Sequence, residues 1–126
     1  MDAEILYFFS EHMDALPLYQ RLEALISEQI PDVRIKASKT QIGFFNKRGF
    51  AFVSFNPCRR AKERPETWMT VTFGLAFRVD DPRIDVATEP YPNRWTHHVL
   101  ISETGQIDGE LMGWLREAWA FSERKR

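Results

Sequence analysis

The amino-acid sequence predicts a single α+β domain with helices at both ends and a mostly antiparallel sheet between them. Apolar residues recur at helical spacing near both ends of the chain and alternate with polar residues through its middle. The connections between the alternating segments are short, which favours pairing of neighbouring strands. We therefore expect two N-terminal helices, a five- to six-stranded sheet, and one C-terminal helix packed on that sheet.

The helices are expected in three segments, at about residues 2–12, 15–30 and 108–123. Asp2 precedes the first helix and Asp108 the third, and an Asp side chain in this position caps the free amides of the first turn. The second helix places Leu18 and Leu22 on one stripe. Pro31 ends it, because the residue before a proline avoids the helical conformation.

Strands are expected in six segments, at about residues 33–37, 41–45, 50–55, 68–77, 84–87 and 96–102. The fourth segment alternates most clearly, with Met69, Val71 and Phe73 on its apolar face. Thr72 and Gly74 belong to the other face, whose residues are all small. We expect large helix side chains to cover that small-residue face.

Length and composition indicate one globular domain over residues 1–126. The chain is 44% hydrophobic and 28% charged, which suits a folded core. Its one cysteine, Cys58, excludes an internal disulfide and fits a reducing cytoplasmic compartment, and the neighbouring Arg59 and Arg60 are expected to lower the pKa of its thiol. No membrane span and no secretory signal are expected.

Charge is unevenly distributed along the chain. The net charge is only −1, which argues against an obligate nucleic-acid binder. Residues 31–64, however, contain nine Lys or Arg against Asp32 and Glu63. This segment is a candidate electrostatic footprint for an anion.

Residues Arg48–Phe55 fit an octamer of the RNA recognition motif, in which two aromatic residues of a central strand stack on bases. Phe50 and Phe52 are expected to share one face with Ser54. The segment 56–67 that follows contains two prolines where that motif needs an amphipathic helix, and the chain has too many strands. We interpret the match as coincidental. As an alternative it predicts a nucleic-acid site at Arg34, Lys36, Lys47, Arg48, Phe50 and Phe52.

A ligand site is predicted at Lys39, Thr40, Arg94, Trp95 and His97. Lys39 and Thr40 would present an ammonium and a hydroxyl to an anion at a sheet edge. Arg94 and Trp95 would line a pocket mouth. Adjacent His97 and His98 face opposite sides of a strand, so they do not bind one metal ion. No metal site, cofactor or catalytic residue is predicted.

The sequence resembles an uncharacterised family of small bacterial domains, domain of unknown function 5655. The residues that carry the resemblance are Pro31–Ile35, Ser38–Phe44, Phe50–Val53, Arg94–Ile101, Ile107–Leu111 and Trp114–Ala118. The resemblance covers nearly the whole chain after the first helix. It implies a stand-alone or appended domain, implies no reaction, and explains the octamer as a strand of the family.

These observations favour a non-enzymatic binding or accessory module for an anionic ligand or partner. The first alternative is binding of RNA or single-stranded nucleic acid through Arg48–Phe55. A second is a small enzyme using His97, which requires that His97 be accessible. A third is a protein-interaction domain with an exposed apolar patch at Trp114 or Trp119. The expected partner is a small anionic ligand, a protein or a nucleic acid, and these possibilities remain open. No contact with a membrane is expected. The protein is expected to be a monomer or a homodimer.

Overall fold

The computed structural model describes residues 2–124 as three α-helices, three short 3-10 helices and six strands. The helices are α1 (Ala3–Phe8), α2 (Leu16–Gln29) and α3 (Gly109–Arg124). The strands are β1 (Arg34–Ala37), β2 (Gln41–Phe45), β3 (Gly49–Ser54), β4 (Met69–Leu75), β5 (Val86–Tyr91) and β6 (Arg94–Ile101). The α+β class, the sheet and the C-terminal helix packed on it are confirmed.

All six strands form one antiparallel sheet in the order β1-β2-β3-β4-β6-β5. The ring of Tyr19 on α2 stacks on Phe44 of β2, and Trp114 on α3 stacks on Phe73 of β4. Because Phe44 and Phe73 lie on the same side of the sheet, α2 and α3 both cover that side. We call it the covered face, and the opposite side the open face.

The caps predicted at Asp2 and Asp108 are present, whereas the second helix has no side-chain cap. The carboxylate of Asp2 accepts a hydrogen bond from the Glu4 amide at 2.7 Å, and that of Asp108 accepts one from the Leu111 amide at 3.0 Å. The first helix, however, ends at Phe8 rather than near residue 12. Phe8 and Phe9 are both buried, and a turn after the helix lets these two consecutive rings enter the core together.

Several strand boundaries differ from those predicted, most of all those of β5. β5 begins at Val86 and continues to Tyr91, because the turn that follows needs little more than Pro92 and Asn93. Asn93 has a φ of 65°, a left-handed conformation that Asn tolerates in tight turns. β4 ends at Leu75, and Phe77 beyond it is 52% exposed.

A β-bulge between β2 and β3 decides which aromatic residues reach the open face. Phe44 pairs with Ala51 and Phe45 pairs with Gly49, so Phe50 is the extra residue in the ladder. The expectation that Phe50 and Phe52 share a face is therefore wrong. Phe50 is 1% exposed in the core, whereas Phe52 lies on the open face and is partly exposed.

The small-residue face of β4 was also expected to be covered by helices, and this is wrong. The helices pack against its apolar side, where Val71 and Phe73 are buried. On the open face, Thr70 is covered by the segment after β3, since its hydroxyl donates to the Asn56 carbonyl at 2.8 Å. Thr72, one row further along, stays partly exposed.

Candidate anion-binding face

One row of residues crosses the open face in register. Lys36 of β1 pairs with Gly43, Gly43 with Phe52, Phe52 with Thr72, and Thr72 with His98 of β6. At the usual strand spacing of about 4.8 Å, this row is roughly 19 Å long. It places a cation, an aromatic ring, a hydroxyl and an imidazole side by side on one surface.

Two phenylalanine rings pack over glycines in this row and in the next. Phe45 and Phe52 contact each other edge to face, with ring centroids 6.0 Å apart. A Cβ atom at Gly43 would lie 2.5 Å from Cε1 of Phe45, and one at Gly49 would overlap the ring of Phe52. The two glycines therefore let both rings approach the backbone closely, where the nearly perpendicular rings form an apolar platform that is still partly exposed.

The face around this platform is positively charged. Strands β1, β2, β3, β4 and β6 contain no Asp or Glu at all. Arg34 and Lys36 extend from the edge strand β1, and Lys47 and Arg48 occupy the β2–β3 turn. Across residues 2–124, none of these four cations forms an ion pair. The Arg34 guanidinium donates to the Asn46 carbonyl, a contact that leaves its charge uncompensated.

Other cations of the basic segment are already engaged elsewhere. Arg59 pairs with Asp85 at 2.7 Å, and Arg60 pairs with Glu63 at 3.1 Å. The guanidinium of Arg64 lies 5.2 Å from the ring centroid of Trp68. Four of the cations of residues 31–64 without an ion pair in the described part of the chain therefore lie on β1 and the β2–β3 turn, while Lys39, Lys62 and Arg64 lie elsewhere.

The β2–β3 turn is fixed to α3 by the buried side chain of Asn46. Its Nδ2 donates to the Trp119 carbonyl at 3.2 Å, and its Oδ1 accepts from the Ser122 hydroxyl at 2.8 Å. The same Oδ1 accepts from the Arg48 amide at 3.2 Å. These bonds hold the turn, and with it the bulge that separates Phe50 from Phe52.

His98 completes the row at the far side. Its Nδ1 lies 2.9 Å from the Thr72 hydroxyl, and burial lowers the pKa of the ring. The imidazole therefore stays largely neutral near pH 7 and offers a polar but uncharged edge. This gives the row a cationic end at Lys36 and a neutral polar end at His98.

His97 occupies the covered face and is completely buried. Its Nε2 accepts a hydrogen bond from the Val79 amide at 2.9 Å, and its ring stacks on Phe73 with centroids 4.9 Å apart. Burial lowers its pKa, while the backbone carbonyls of Phe73 and Trp95 oppose that shift in part. The accessibility that a catalytic His97 requires is absent.

Arg94 and Trp95 point to opposite faces and do not share a site. On the open face, the Arg94 guanidinium covers Gly74, where an added Cβ would lie 2.5 Å from Nη2. Trp95 lies on the same side of β6 as His97, with the Arg78 guanidinium 5.9 Å from its ring centroid. The predicted grouping of Arg94 and Trp95 with Lys39 is not formed, because three strands separate the β1–β2 turn from β6.

Lys39 and Thr40 instead line a cleft of about 360 Å³ beside the end of α1. We call it the α1 cleft; its other lining residues are Tyr7, Phe8, Ser10, Glu11, His12, Phe55 and Asn56. The His12 ring stacks on the Phe55 ring, with centroids 3.9 Å apart. The turn that carries Lys39 is held by Ser38, whose hydroxyl donates to the Gln41 carbonyl at 3.1 Å.

Cys58 differs from its prediction, because its pKa is raised rather than lowered. Burial is the largest cause, and the nearby Asp85 carboxylate adds to it. Asp85 also pairs with Arg59 and accepts from the Leu100 amide at 2.9 Å, so the arginine does little to stabilise a thiolate. This cluster fastens the segment after β3 to β6.

The last helix does not present a tryptophan patch to solvent. Trp114 is 9% exposed and packs between Phe73 and the Arg83 guanidinium, which lies 5.7 Å from its ring centroid. Trp119 is partly buried against the core. Within residues 2–124, no three His, Cys, Asp or Glu side chains lie close enough together to hold a metal ion.

Sequence reasoning missed the parts of the open face that depend on strand pairing. Phe45 and Gly43 were not recognised as part of a site, nor was the contact between Thr72 and His98. Alternation in β4 did indicate that Thr72 lies opposite the core. The bulge was the missing signal, since it turns Phe50 into the core and leaves Phe45 and Phe52 on the open face.

Comparison with known protein families finds a match over most of the chain. The profile of a domain of unknown function, DUF5655, matches residues 7–122. The protein belongs to this family. No curated protein and no solved structure matches the chain. Among the helices of residues 2–124, none is long and apolar enough to cross a lipid bilayer.

Proposed function

We propose that this DUF5655 domain is a non-enzymatic binding module that holds an anionic ligand on the open face of its sheet. The observation that carries the proposal is the combination of four uncompensated cations with a partly exposed aromatic platform on a side that no helix covers. Because its one cysteine leaves nothing to pair with inside the chain, the proposal also places the protein in a reducing, cytoplasmic compartment.

Electrostatics support the open face over other surfaces for this role. Charges on one side of a low-dielectric sheet reinforce one another and attract anions when no carboxylate compensates them. Arg34 and Lys36 lie two residues apart on β1, so both side chains emerge on the open face. A flexible anion that reaches both meets Phe45 and Phe52 on the neighbouring strands.

The α1 cleft is a second candidate for the anion. Lys39 forms no ion pair within residues 2–124, and the cleft combines its ammonium with the hydroxyls of Ser10 and Thr40. Glu11 also lines the cleft, and its carboxylate opposes an anionic ligand there. Among the strands of the open face, only β5 contains an acidic residue. The open face is therefore the better candidate.

The two candidates are separated by titrating a base-free polyanion, a short inorganic polyphosphate, into the protein at low and at physiological salt. We expect binding that weakens as salt rises and that falls further in Lys36→Gln. The matched control is Lys39→Gln, the same change three residues away in the cleft, which we expect to bind as the unaltered protein does. Absence of salt-sensitive binding, or a loss in Lys39→Gln alone, would overturn the proposal.

A further inference from the structure

We infer that the anionic ligand of the open face is single-stranded nucleic acid, whose bases stack on Phe52 and Phe45. This inference rests on the proposed function, because it names the ligand class of the same surface. It does not depend on the octamer Arg48–Phe55 acting as in the RNA recognition motif, since Phe50 of that octamer is buried in the core.

The geometry favours a ligand that is both anionic and flat. Phe52 lies two strands from Lys36, at about 10 Å in the same row, so a chain that contacts both needs alternating charge and apolar surface. A nucleic-acid strand supplies this alternation, with phosphates for Arg34 and Lys36 and base rings for the platform. Stacking on aromatic side chains tolerates any sequence, because every base has a π-face.

The far half of the row suits the edges of bases. Thr72 and His98 bring a hydroxyl and a ring nitrogen to the surface beside Phe52, and both groups donate or accept hydrogen bonds. The roughly 19 Å of the row has room for several nucleotides. A duplex is a poorer fit, because its neighbouring base pairs already cover the base faces that would stack on the platform.

The aromatic platform is also preorganised for binding. Gly43 and Gly49 allow the rings of Phe45 and Phe52 to lie against the backbone, and each ring restricts the other. The Asn46 side chain ties the connecting turn to α3. A rigid aromatic surface loses little conformational entropy when a base stacks on it.

The test compares three fluorescent probes by anisotropy at one salt concentration: a ten-residue oligothymidylate, an abasic strand with the same number of phosphates, and the oligothymidylate as a duplex with oligoadenylate. We expect the single strand to bind at least about fivefold more tightly than either of the others, from base stacking. We expect Phe52→Leu to remove most of that advantage. Phe77→Leu, the same change at an exposed ring beyond β4, is the matched control and should keep it.

A second series measures the salt dependence of the same single strand. For single strands, each phosphate that is neutralised contributes about 0.7 to the slope of log K against log salt. Lys36→Gln should reduce the slope by about that amount, whereas Phe52→Leu should lower affinity and leave the slope unchanged.

The outcomes separate this inference from the proposed function. Equal binding of the abasic and normal strands, with both weakened in Lys36→Gln, would overturn base stacking and leave anion binding in place. Absence of binding to all three probes at low salt would overturn both. Single-strand binding that Phe52→Leu leaves unchanged would also overturn the inference, because the bases would then stack elsewhere.

Discussion

The covered face and the open face of the sheet are built from neighbouring residues with opposite environments. Phe50 is buried in the core, and Phe52 lies partly exposed over glycines on the other side. His97 is sealed against Phe73, while His98 lies at the surface beside Thr72. Structural and functional positions in this domain therefore do not differ in residue type. They differ in the face of the sheet to which each side chain points.

The contrast between Phe50 and Phe52 gives the largest expected effect. Phe50→Ala should lower the free energy of unfolding by about 3–5 kcal/mol, because it leaves a cavity in the core. Phe52→Ala should cost about 1 kcal/mol, because its ring is only partly buried. Urea denaturation of both variants measures the difference. Equal losses would mean that the two rings are buried alike and that the open face is not open.

Asn46, which ties the β2–β3 turn to α3, should have an intermediate effect on the free energy of unfolding. Asn46→Ala removes three hydrogen bonds, to the Trp119 carbonyl, the Ser122 hydroxyl and the Arg48 amide, while the Ser122 hydroxyl can still donate to the Trp119 carbonyl. We expect a loss of about 1–3 kcal/mol in the free energy of unfolding. Asn56→Ala, at an exposed position, is the matched control and should change stability by less than about 0.5 kcal/mol. An equal loss of stability in both variants would show that the Asn46 side chain has no special role in holding the turn.

The two histidines give the smallest effect, a dependence of stability on pH. Burial lowers the pKa of both rings below the ordinary value of 6.5, so the unfolded chain takes up protons first as pH falls. Stability from this source is complete above about pH 6.5 and decreases as the pH falls below that value towards the lowered pKa.

Denaturation between pH 7.5 and 5 should therefore show declining stability. His97→Gln and His98→Gln should each remove part of this dependence, because burial lowers the pKa of both rings. Stability that depends on pH as strongly in both variants as in the unaltered protein would contradict this origin.

The sequence predicted the elements of this fold better than it predicted the site. Caps at Asp2 and Asp108, and strict alternation in β4, are local signals that a single chain displays directly. The open face depends on non-local facts: which strands pair, and where the β2–β3 ladder contains one residue too many. The bulge places Phe50 on the face opposite to the one expected, and no pattern of residue types predicts the bulge.

Lys39 illustrates the same limit for charged residues. Its position between two strands predicted an anion site at a sheet edge, shared with Trp95 and His97. The sheet order instead puts three strands between them and places Lys39 in the α1 cleft. Lys36, three residues earlier, is the lysine that joins the aromatic platform.

Ligand binding at the open face is tested most directly by a ¹H–¹⁵N NMR titration of the labelled protein with the ten-nucleotide oligothymidylate. We expect the shifted amides to cluster on β1, β2 and β3, around Lys36, Gly43 and Phe52, and to extend to Thr72. Shifts confined to the α1 cleft, around Tyr7, His12 and Lys39, would contradict binding at the open face, as would shifts on the helices of the covered face.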